Sequence, residues 1–426
     1  MRNNDIDNLV KIIYDEETFI GHLQLNENIK EFKIFIDSSH KYYNDFKSSR
    51  YNNFHCQLIT GEMISLFKCV LILDTTAGST HELTFKVTLY VNQYVESLEE
   101  LRIKKIGAIF PYLHTLFTGS KEELEFCVEF NFEGYSITVE TEESSKSERD
   151  LFKSNTTKTM TVSLRSDKPL PLDIVDKFFF RFSTITSFLS NHYITYEKYF
   201  VPDQKHPYYI DNHMKKISDE SGPPNLNNYN HRFSRLTNDE FKEHLINPII
   251  DKKFPLWLNY SSTLRFKPQL IEEKFLTYFR CIERIAGSKI NAKLYPDDCV
   301  NKVRDRVAES MIKEGFAEAE VEYVKEQIPK GSTKSTKDKI VELINGEFEV
   351  EKFYEHNRFD DLDIFVGKMT SLRNHLSHGN EIKTERLQNS LKDIFTLQEI
   401  VVILLLRKQG IESNFPLNYY EFRDFK

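Results

Sequence analysis

The spacing of apolar residues changes partway along the chain, and this change limits the class of fold that the chain can adopt. In the first half apolar and polar residues alternate, most clearly in ELTFKVTLYVN, residues 82–92. Alternation with a period of two predicts a half-buried β-strand. In the second half apolar residues recur every three or four positions, which predicts amphipathic helices. The chain is therefore expected to be α+β, with strands first and helices after them.

The strand-rich half also carries signals for a hairpin and for one helix. The stretch LEFCVEFNFEGYSITVE, residues 124–140, alternates on both sides of Gly134, which marks a turn between two strands. An aromatic stripe at helical spacing between Pro171 and Leu189 predicts a helix whose aromatic side chains lie in the core. We expect a mainly antiparallel β domain, sandwich-like or barrel-like, that includes this helix.

A stretch without apolar periodicity separates the two halves. Residues 201–235 are rich in Pro, Asn, Ser and Gly, which predicts a linker. The predicted organisation is a β-rich N-terminal domain at 1–201, a linker at 202–235 and an all-α domain at 236–426.

The all-α domain ends in two predicted long helices. In DDLDIFVGKMTSLRNHLSHG, residues 360–379, apolar residues recur at steps of three and four, and Gly379 is expected to end the helix. The last helix is predicted from Thr384 to Lys408. Earlier in this domain, GSTKST at 331–336 separates two predicted helices and is expected to be an exposed, mobile loop.

Composition excludes several classes of protein. The net charge of −8 gives no general basic field that would hold a nucleic acid by bulk attraction to phosphates. The longest apolar run, Ile400–Leu406, is far shorter than the ~20 residues that span a bilayer, and the N-terminal residues resemble no secretion signal. A soluble, cytoplasmic protein without a membrane partner is predicted. Its five cysteines show no CxxC pair and are predicted to be reduced core residues: Cys56, Cys69, Cys127, Cys281 and Cys299.

One motif near the end of the penultimate helix suggests chemistry. Arg373 and His378 stand five positions apart with Asn374 directly after the arginine, in the form R-x4-H. The spacing alone is weak, because roughly half an occurrence is expected by chance in such a chain. Arg50 and His55 form a second R-x4-H in the strand-rich half, which we assign to chance.

The helical setting makes the copy at Arg373 unusual. On an ideal helix Arg373 lies about 50° from the centre of the apolar stripe, where a charge requires a partner. His378 points ~140° away from Arg373 on the same helix, so the two side chains meet one substrate only if the helix ends between them or a second chain contributes.

The pair has residue types that suit RNA cleavage. A histidine with a pKa near ~6.5 can move the 2′-hydroxyl proton or protonate the leaving 5′-oxygen. A planar guanidinium can bind the phosphate as charge builds on it, and no metal or other cofactor is required. Asn374 is a secondary candidate that orients the imidazole or donates to the phosphate.

Two structural alternatives remain open at this point. Arg and His in a last helical turn also interact favourably with the helix dipole and its free carbonyls. His375 and His378, three positions apart, are at a spacing that metal ligands use, although no acidic or Cys partner lies at ligand spacing nearby.

The all-helical second half, with RNHLSHG at the end of its penultimate long helix, resembles a HEPN domain. The family motif is R-x(4–6)-H with a polar residue after the arginine, and Arg373, Asn374 and His378 match it. The order FLTYFRCIERIAG, then a variable helical region, then SLRNHLSHG is similar to ApeA-like anti-phage proteins, which carry a strand-rich N-terminal domain.

The resemblance implies a metal-independent endoribonuclease that leaves 2′,3′-cyclic phosphates and acts as a homodimer through the HEPN domain. It further implies abortive-infection defence, in which the enzyme cleaves RNA, with tRNA as one candidate, once a phage trigger molecule is sensed. The N-terminal domain would then sense, regulate or position RNA.

Basic residues of the helical half are the candidates for binding RNA. The candidate RNA-binding residues are Arg280, Arg284 and Arg304, with Lys302 and Arg306 beside them, although a solvated helical face is the more common explanation of such residues. Two other functions stay open: a catalytically inert HEPN scaffold that binds RNA, a nucleotide or a phage protein, and a helical dimeriser in which Arg373 is a buried ion-pair partner.

Overall fold

Two compact units make up the chain, Met1–Asp251 and Lys252–Lys426. In a computed structural model the described residues are 6–25, 30–91, 94–98, 103–117, 124–150, 153–196, 199–200, 209–210, 229–265, 270–356, 358–378 and 384–412. Strands dominate the first unit and helices the second, so the predicted α+β class is confirmed.

A closed antiparallel barrel forms the first part of the N-terminal unit. Its six strands follow the order β5-β4-β1-β2-β3-β6, and the pairing of β5 with β6 closes the ring. Alternate residues of each strand point inward, and the aromatic rings of Phe32, Phe54 and Phe85 fill the interior. Helix α1, Tyr42–Ser48, adds Phe46 to this core. The barrel strands are β1 Ile6–Tyr14, β2 Glu17–Leu25, β3 Lys30–Asp37, β4 Asn52–Leu58, β5 Met63–Ala77 and β6 Thr80–Lys86.

The stretch predicted as a single strand at 82–92 is divided in the structure. Its first part belongs to β6, which pairs with the second half of β5, whereas β7, Leu89–Val91, pairs with the first half of β5. The break lies at Val87, whose N–H donates to the carbonyl of Lys30. The alternation is correct on both sides of the break, and β6 and β7 pair with the same edge of β5 in one register. The break lies opposite Lys68 of β5, which has a positive φ (52°).

A second antiparallel sheet completes this unit. Its strand order is β12-β8-β11-β10-β9. The predicted hairpin is β9 and β10, joined by Glu133 and Gly134, both with positive φ (51° and 87°), as a two-residue hairpin turn of type I′ requires. The strands are β8 Ile103–Phe110, β9 Cys127–Phe132, β10 Tyr135–Asp150, β11 Lys153–Leu170 and β12 Tyr199–Phe200, with β13 Tyr209–Ile210 pairing with β7.

The predicted aromatic helix packs on this second sheet. Helix α2, Leu172–Ser190, buries Phe178, Phe179 and Phe182, and the ring of Phe178 contacts those of Phe130 and Phe132. Its aromatic stripe is therefore core, as expected.

The division between the units falls at Asp251, whereas the helical domain is predicted from 236. The short helices α3, Asn238–Phe241, and α4, Asn247–Ile250, are joined by a π-helical turn and belong to the first unit. The reason is aromatic packing, since Phe241 stacks on Phe126 at a ring-centroid distance of 4.4 Å. Most of the predicted linker at 202–235 lies outside the described residues.

Helices form the described part of the second unit, apart from their connections and one isolated β-bridge between Lys293 and Thr333. Helix α6 buries one face, including Phe275, Phe279 and Ile282, and the apolar stretch of α12 from Ile400 to Leu406 is buried. The helices are α5 Pro255–Arg265, α6 Ile271–Lys289, α7 Asp297–Lys313, α8 Glu318–Gly331, α9 Thr336–Glu347, α10 Val350–Glu355, α11 Leu362–Ser377 and α12 Thr384–Lys408. In the part of the chain that the structure describes, none of the helices has the length and apolarity needed to cross a membrane.

Two details differ from the expectations. The segment GSTKST is held by backbone hydrogen bonds: the N–H of Leu294 donates to the carbonyl of Ser332, and the N–H of Lys334 donates to that of Ala292, both at 2.8 Å.

The prediction that all cysteines lie in the core is wrong for Cys127 and Cys299, which are exposed. The other three are buried, and all five are free thiols.

Candidate functional site at the end of helix α11

Helix α11 carries the R-x4-H motif and has a well-defined start and packed face. The carboxylate of Asp361 caps its first turn by accepting from the N–H of Ile364 at 2.8 Å. Phe365, Val366, Met369 and Leu372 are buried on one face. This packing fixes the rotation of the helix and therefore the direction in which Arg373 leaves it.

Arg373 lies at the edge of the buried face and has partners on two helices. Its Nη2 lies 3.5 Å from Oε1 of Glu283 on α6, and its Nη1 donates to Oδ1 of Asn374 at 3.1 Å. The guanidinium carbon lies 6.0 Å from the ring centroid of Phe279. The side chain is 37% exposed, so the charge is held in place but still open to solvent.

Glu283 is the residue that sequence reasoning missed. Glu272 and Glu273 lie in the first turn of the same helix, and neither is the partner of Arg373. The signal was present in the spacing, because Glu283 follows the buried Phe279 by four positions and so lies beside it on the helix. Only the packing of α6 against α11 shows that this edge meets Arg373.

Asn374 contacts the arginine rather than the histidine. Its side-chain oxygen accepts from Arg373, so the asparagine helps to set the orientation of the guanidinium. The sequence suggested that Asn374 orients the imidazole or donates to the phosphate. In the structure Asn374 orients the side chain of Arg373 instead of the imidazole, and its exposed amide can still donate to a ligand.

His378 is exposed and stays in register with the helix. Helix α11 ends at Ser377, and the N–H of His378 still donates to the carbonyl of Asn374 at 3.2 Å. Because the backbone remains helical through the motif, the two side chains leave the axis ~140° apart. The structure thus places Arg373 with Asn374, and does not bring His378 to them within one chain. Gly379, the predicted stop, lies outside the described residues.

His375 lies between the two motif residues and is partly buried. It shares a face with His378, about 60° away around the helix. Among the residues that the structure describes, no three metal-ligating side chains come together, here or elsewhere. Within the described residues, His375 and His378 therefore have no third metal-ligating side chain beside them.

The three candidate RNA-binding arginines lie in two different places. Arg280 and Arg284 are exposed on α6, and Arg280 lies one turn before Glu283. Arg304 lies on α7, which packs chiefly on α8, and its Nε is 2.9 Å from Oδ1 of Asp305. Arg280 and Arg284 therefore share a helix with the partner of Arg373, whereas Arg304 belongs to a separate hairpin.

The second R-x4-H lies in the barrel and is built differently. Arg50 precedes β4, with its guanidinium carbon 5.2 Å from the ring centroid of Tyr51. His55 lies within β4, where Nδ1 is 3.0 Å from Oγ of Ser65 and burial lowers the pKa of the imidazole. These are local packing and sheet contacts.

Comparison with known proteins gives no assignment: no family model matches the chain, and neither the curated proteins nor the solved structures contain a match. The resemblance to HEPN domains rests on the residues of the motif and on their order along the chain.

Proposed function

We propose that this chain is a metal-independent endoribonuclease of the HEPN type, with Arg373 as the phosphate-binding residue and His378 as the proton-transferring residue. The observation that carries the proposal is the arrangement at the end of α11. A guanidinium there is oriented by Glu283 and Asn374 and remains partly exposed, with His378 exposed five positions further on.

The donors of Arg373 suit an RNA phosphate. A guanidinium has five N–H groups, and the contacts to Glu283 and Asn374 engage only two of its nitrogens. The remaining donors can bind the non-bridging oxygens as negative charge develops on them. Asn374, with an exposed amide, is a second donor for the same phosphate.

The reaction needs two proton transfers. The 2′-oxygen forms a bond to phosphorus while its proton passes to a base, and the bond from phosphorus to the 5′-oxygen breaks as that oxygen takes a proton from an acid. The products are a 2′,3′-cyclic phosphate and a free 5′-hydroxyl. An imidazole can serve either step, depending on whether it starts neutral or protonated.

The divergence of Arg373 and His378 supports a site made by two chains. Because the two side chains leave one helix ~140° apart, a two-fold axis that sets one helix end against another would place His378 of one copy near Arg373 of its partner. A homodimer through the helical domain is therefore part of the proposal.

The biological setting is proposed from the resemblance to ApeA-like proteins. It comprises abortive-infection defence in the cytoplasm, an RNA substrate with tRNA as a candidate, and a phage trigger molecule sensed through the N-terminal domain. Arg280 and Arg284, exposed on α6, are the basic residues best placed to guide RNA to Arg373.

The test is cleavage of total bacterial RNA by purified protein in EDTA, read on a denaturing gel with analysis of the new ends. The parent chain is expected to leave 2′,3′-cyclic phosphates, and His378→Ala to lose activity by about 100-fold or more. His55→Ala, the same change in the barrel copy of the motif, is the matched control and should cleave like the parent.

Two other results would contradict the proposal in different ways. Cleavage by His378→Ala at the parent rate would show that the site is assigned wrongly. RNA that binds but stays intact with every variant, including in lysate of infected cells, would favour the inert scaffold.

A further inference from the structure

Helices α7 and α8 form a hairpin that leaves the helical unit and returns to it. At its base, which we call the neck, the chain segments around Leu294 and Ser332 run side by side. They are joined by the two backbone hydrogen bonds that also hold the segment GSTKST. Beyond this neck α7 packs chiefly on α8. All residues from 290 to 335 are described, and within the two helices only Val300, Ala308 and Val321 are fully buried.

This interior is small for a pair of helices, and large apolar side chains lie outside it. The exposed fractions are 61% for Tyr295, 53% for Val303, 48% for Phe316 and 64% for Tyr323. Isolated helices of this length gain most of their stability from packing an apolar face. The hairpin therefore has more apolar surface than its own two helices cover.

Much of this surface lies on one face. One groove of about 280 Å³ near the neck is lined by Cys299, Val303 and Ile328 among others. A second, of about 290 Å³ near the tip, is lined by Glu320 and Val324 among others. Glu320, Val324 and Ile328 follow one another at steps of four on α8, so the two grooves run along the same face.

The charges at the edges of this face are complementary to each other. Arg306 and Lys313 lie three and ten positions after Val303, which puts them along the α7 edge. Glu320 lies on the α8 edge, at the level of Met311, since both line the groove near the tip. All three charged residues are exposed. The face thus has a basic edge on α7 and an acidic residue on α8 at a matching height.

We propose that this face binds the same face of a second copy of the chain. A two-fold axis parallel to the helices places α7 of each copy over α8 of the other, antiparallel, as in a four-helix bundle. Glu320 then lies between Arg306 and Lys313 of the partner copy, and this contact occurs twice. The same face of each copy then supplies both partners of the apolar and the charged contacts, which is the condition for an isologous interface.

This inference goes beyond the proposed function and does not depend on RNA cleavage. The hairpin face consists of α7 and α8, whereas the proposed dimer of motifs uses the end of α11. If the chain uses both surfaces, its association occurs in two separable steps.

The experiment is sedimentation of the full chain over a range of concentrations. The parent is expected to show a reversible association step that Val303→Glu weakens by about tenfold or more, because a carboxylate would be buried in the interface. Ile312→Glu is the matched control, since Ile312 is 62% exposed on the same helix but about 180° away from Val303. Its association should equal that of the parent.

Charge reversal separates a second copy from any other partner. Arg306→Glu and Glu320→Lys should each weaken the step, and the double variant should restore it, because only a homotypic contact regains its pairs when both edges are exchanged. A parent without this step, equal effects of Val303→Glu and Ile312→Glu, or no recovery in the double variant would each overturn the proposal. Circular dichroism confirms that each variant is folded.

Discussion

The chain contains the spacing R-x4-H twice, and the two copies differ in everything except the spacing. Arg373 leaves a packed helix and is oriented by a carboxylate and an amide, with an exposed histidine at the helix end. Arg50 rests on the neighbouring Tyr51, and His55 is a strand residue whose ring contacts Ser65 and Tyr94. The surroundings, rather than the spacing, distinguish the copy at Arg373, which we propose binds an RNA phosphate, from the copy at Arg50.

The largest difference between the two copies is expected when both arginines are changed in the same way. Arg373→Lys keeps the charge but removes the planar fork of donors, and we expect RNA cleavage to fall by about 100-fold. Arg50→Lys should cleave at the parent rate, because that arginine is in the barrel. Single-turnover rates in EDTA measure both, and melting temperatures check the fold.

Equal rates for Arg373→Lys and Arg50→Lys would contradict the assignment of Arg373 to the phosphate. A lowered melting temperature in Arg373→Lys with unchanged cleavage would instead favour the structural reading, in which Arg373 serves only as an ion-pair partner of Glu283.

A smaller effect is expected from Glu283, which distinguishes the two copies because Arg50 has no carboxylate at ion-pair distance among the residues that the structure describes. Glu283→Gln removes the charge that orients the guanidinium, so kcat should fall by about tenfold. KM should not rise, because the net positive charge near the phosphate increases. Glu273→Gln, on the exposed first turn of the same helix, is the control. A raised KM with unchanged kcat would mean that Glu283 contacts the substrate rather than Arg373.

Local patterns predicted what is local in this structure. The apolar stripe of α11, the aromatic core of α2 and the turn at Gly134 each depend on residues close in sequence, and each was predicted correctly. The requirement for a partner at Arg373 was also predictable, because a charge beside an apolar stripe is costly when alone.

The features that sequence reasoning missed depend on distant contacts. The partner of Arg373 is Glu283 on another helix, and the break at Val87 lies beside Lys68 of the neighbouring strand β5, where the backbone has a positive φ. The division at Asp251 reflects contacts such as the stacking of Phe241 on Phe126, which directly precedes β9. None of these contacts leaves a periodic signal in the sequence.

The smallest predicted effect concerns stability and belongs to the barrel copy. Burial lowers the pKa of His55 in the folded chain, and the charge of Glu96 acts in the opposite direction. The unfolded chain therefore binds a proton at His55 near pH ~6.5, while the folded chain binds it only at lower pH. The contribution of neutral His55 to stability is fully present above that pH and is lost as the pH falls below it.

His55→Gln should make the melting temperature fall less between pH 7.5 and pH 5.5 than it does in the parent. Over this pH range, the change in the free energy of unfolding is expected to differ between the variant and the parent by less than about 1 kcal/mol. The difference is small because the ring is only partly buried and solvent screens its charge. Arg50→Ala is the control and should keep the parent slope. Parallel melting curves for His55→Gln and the parent would show that His55 titrates alike in both states.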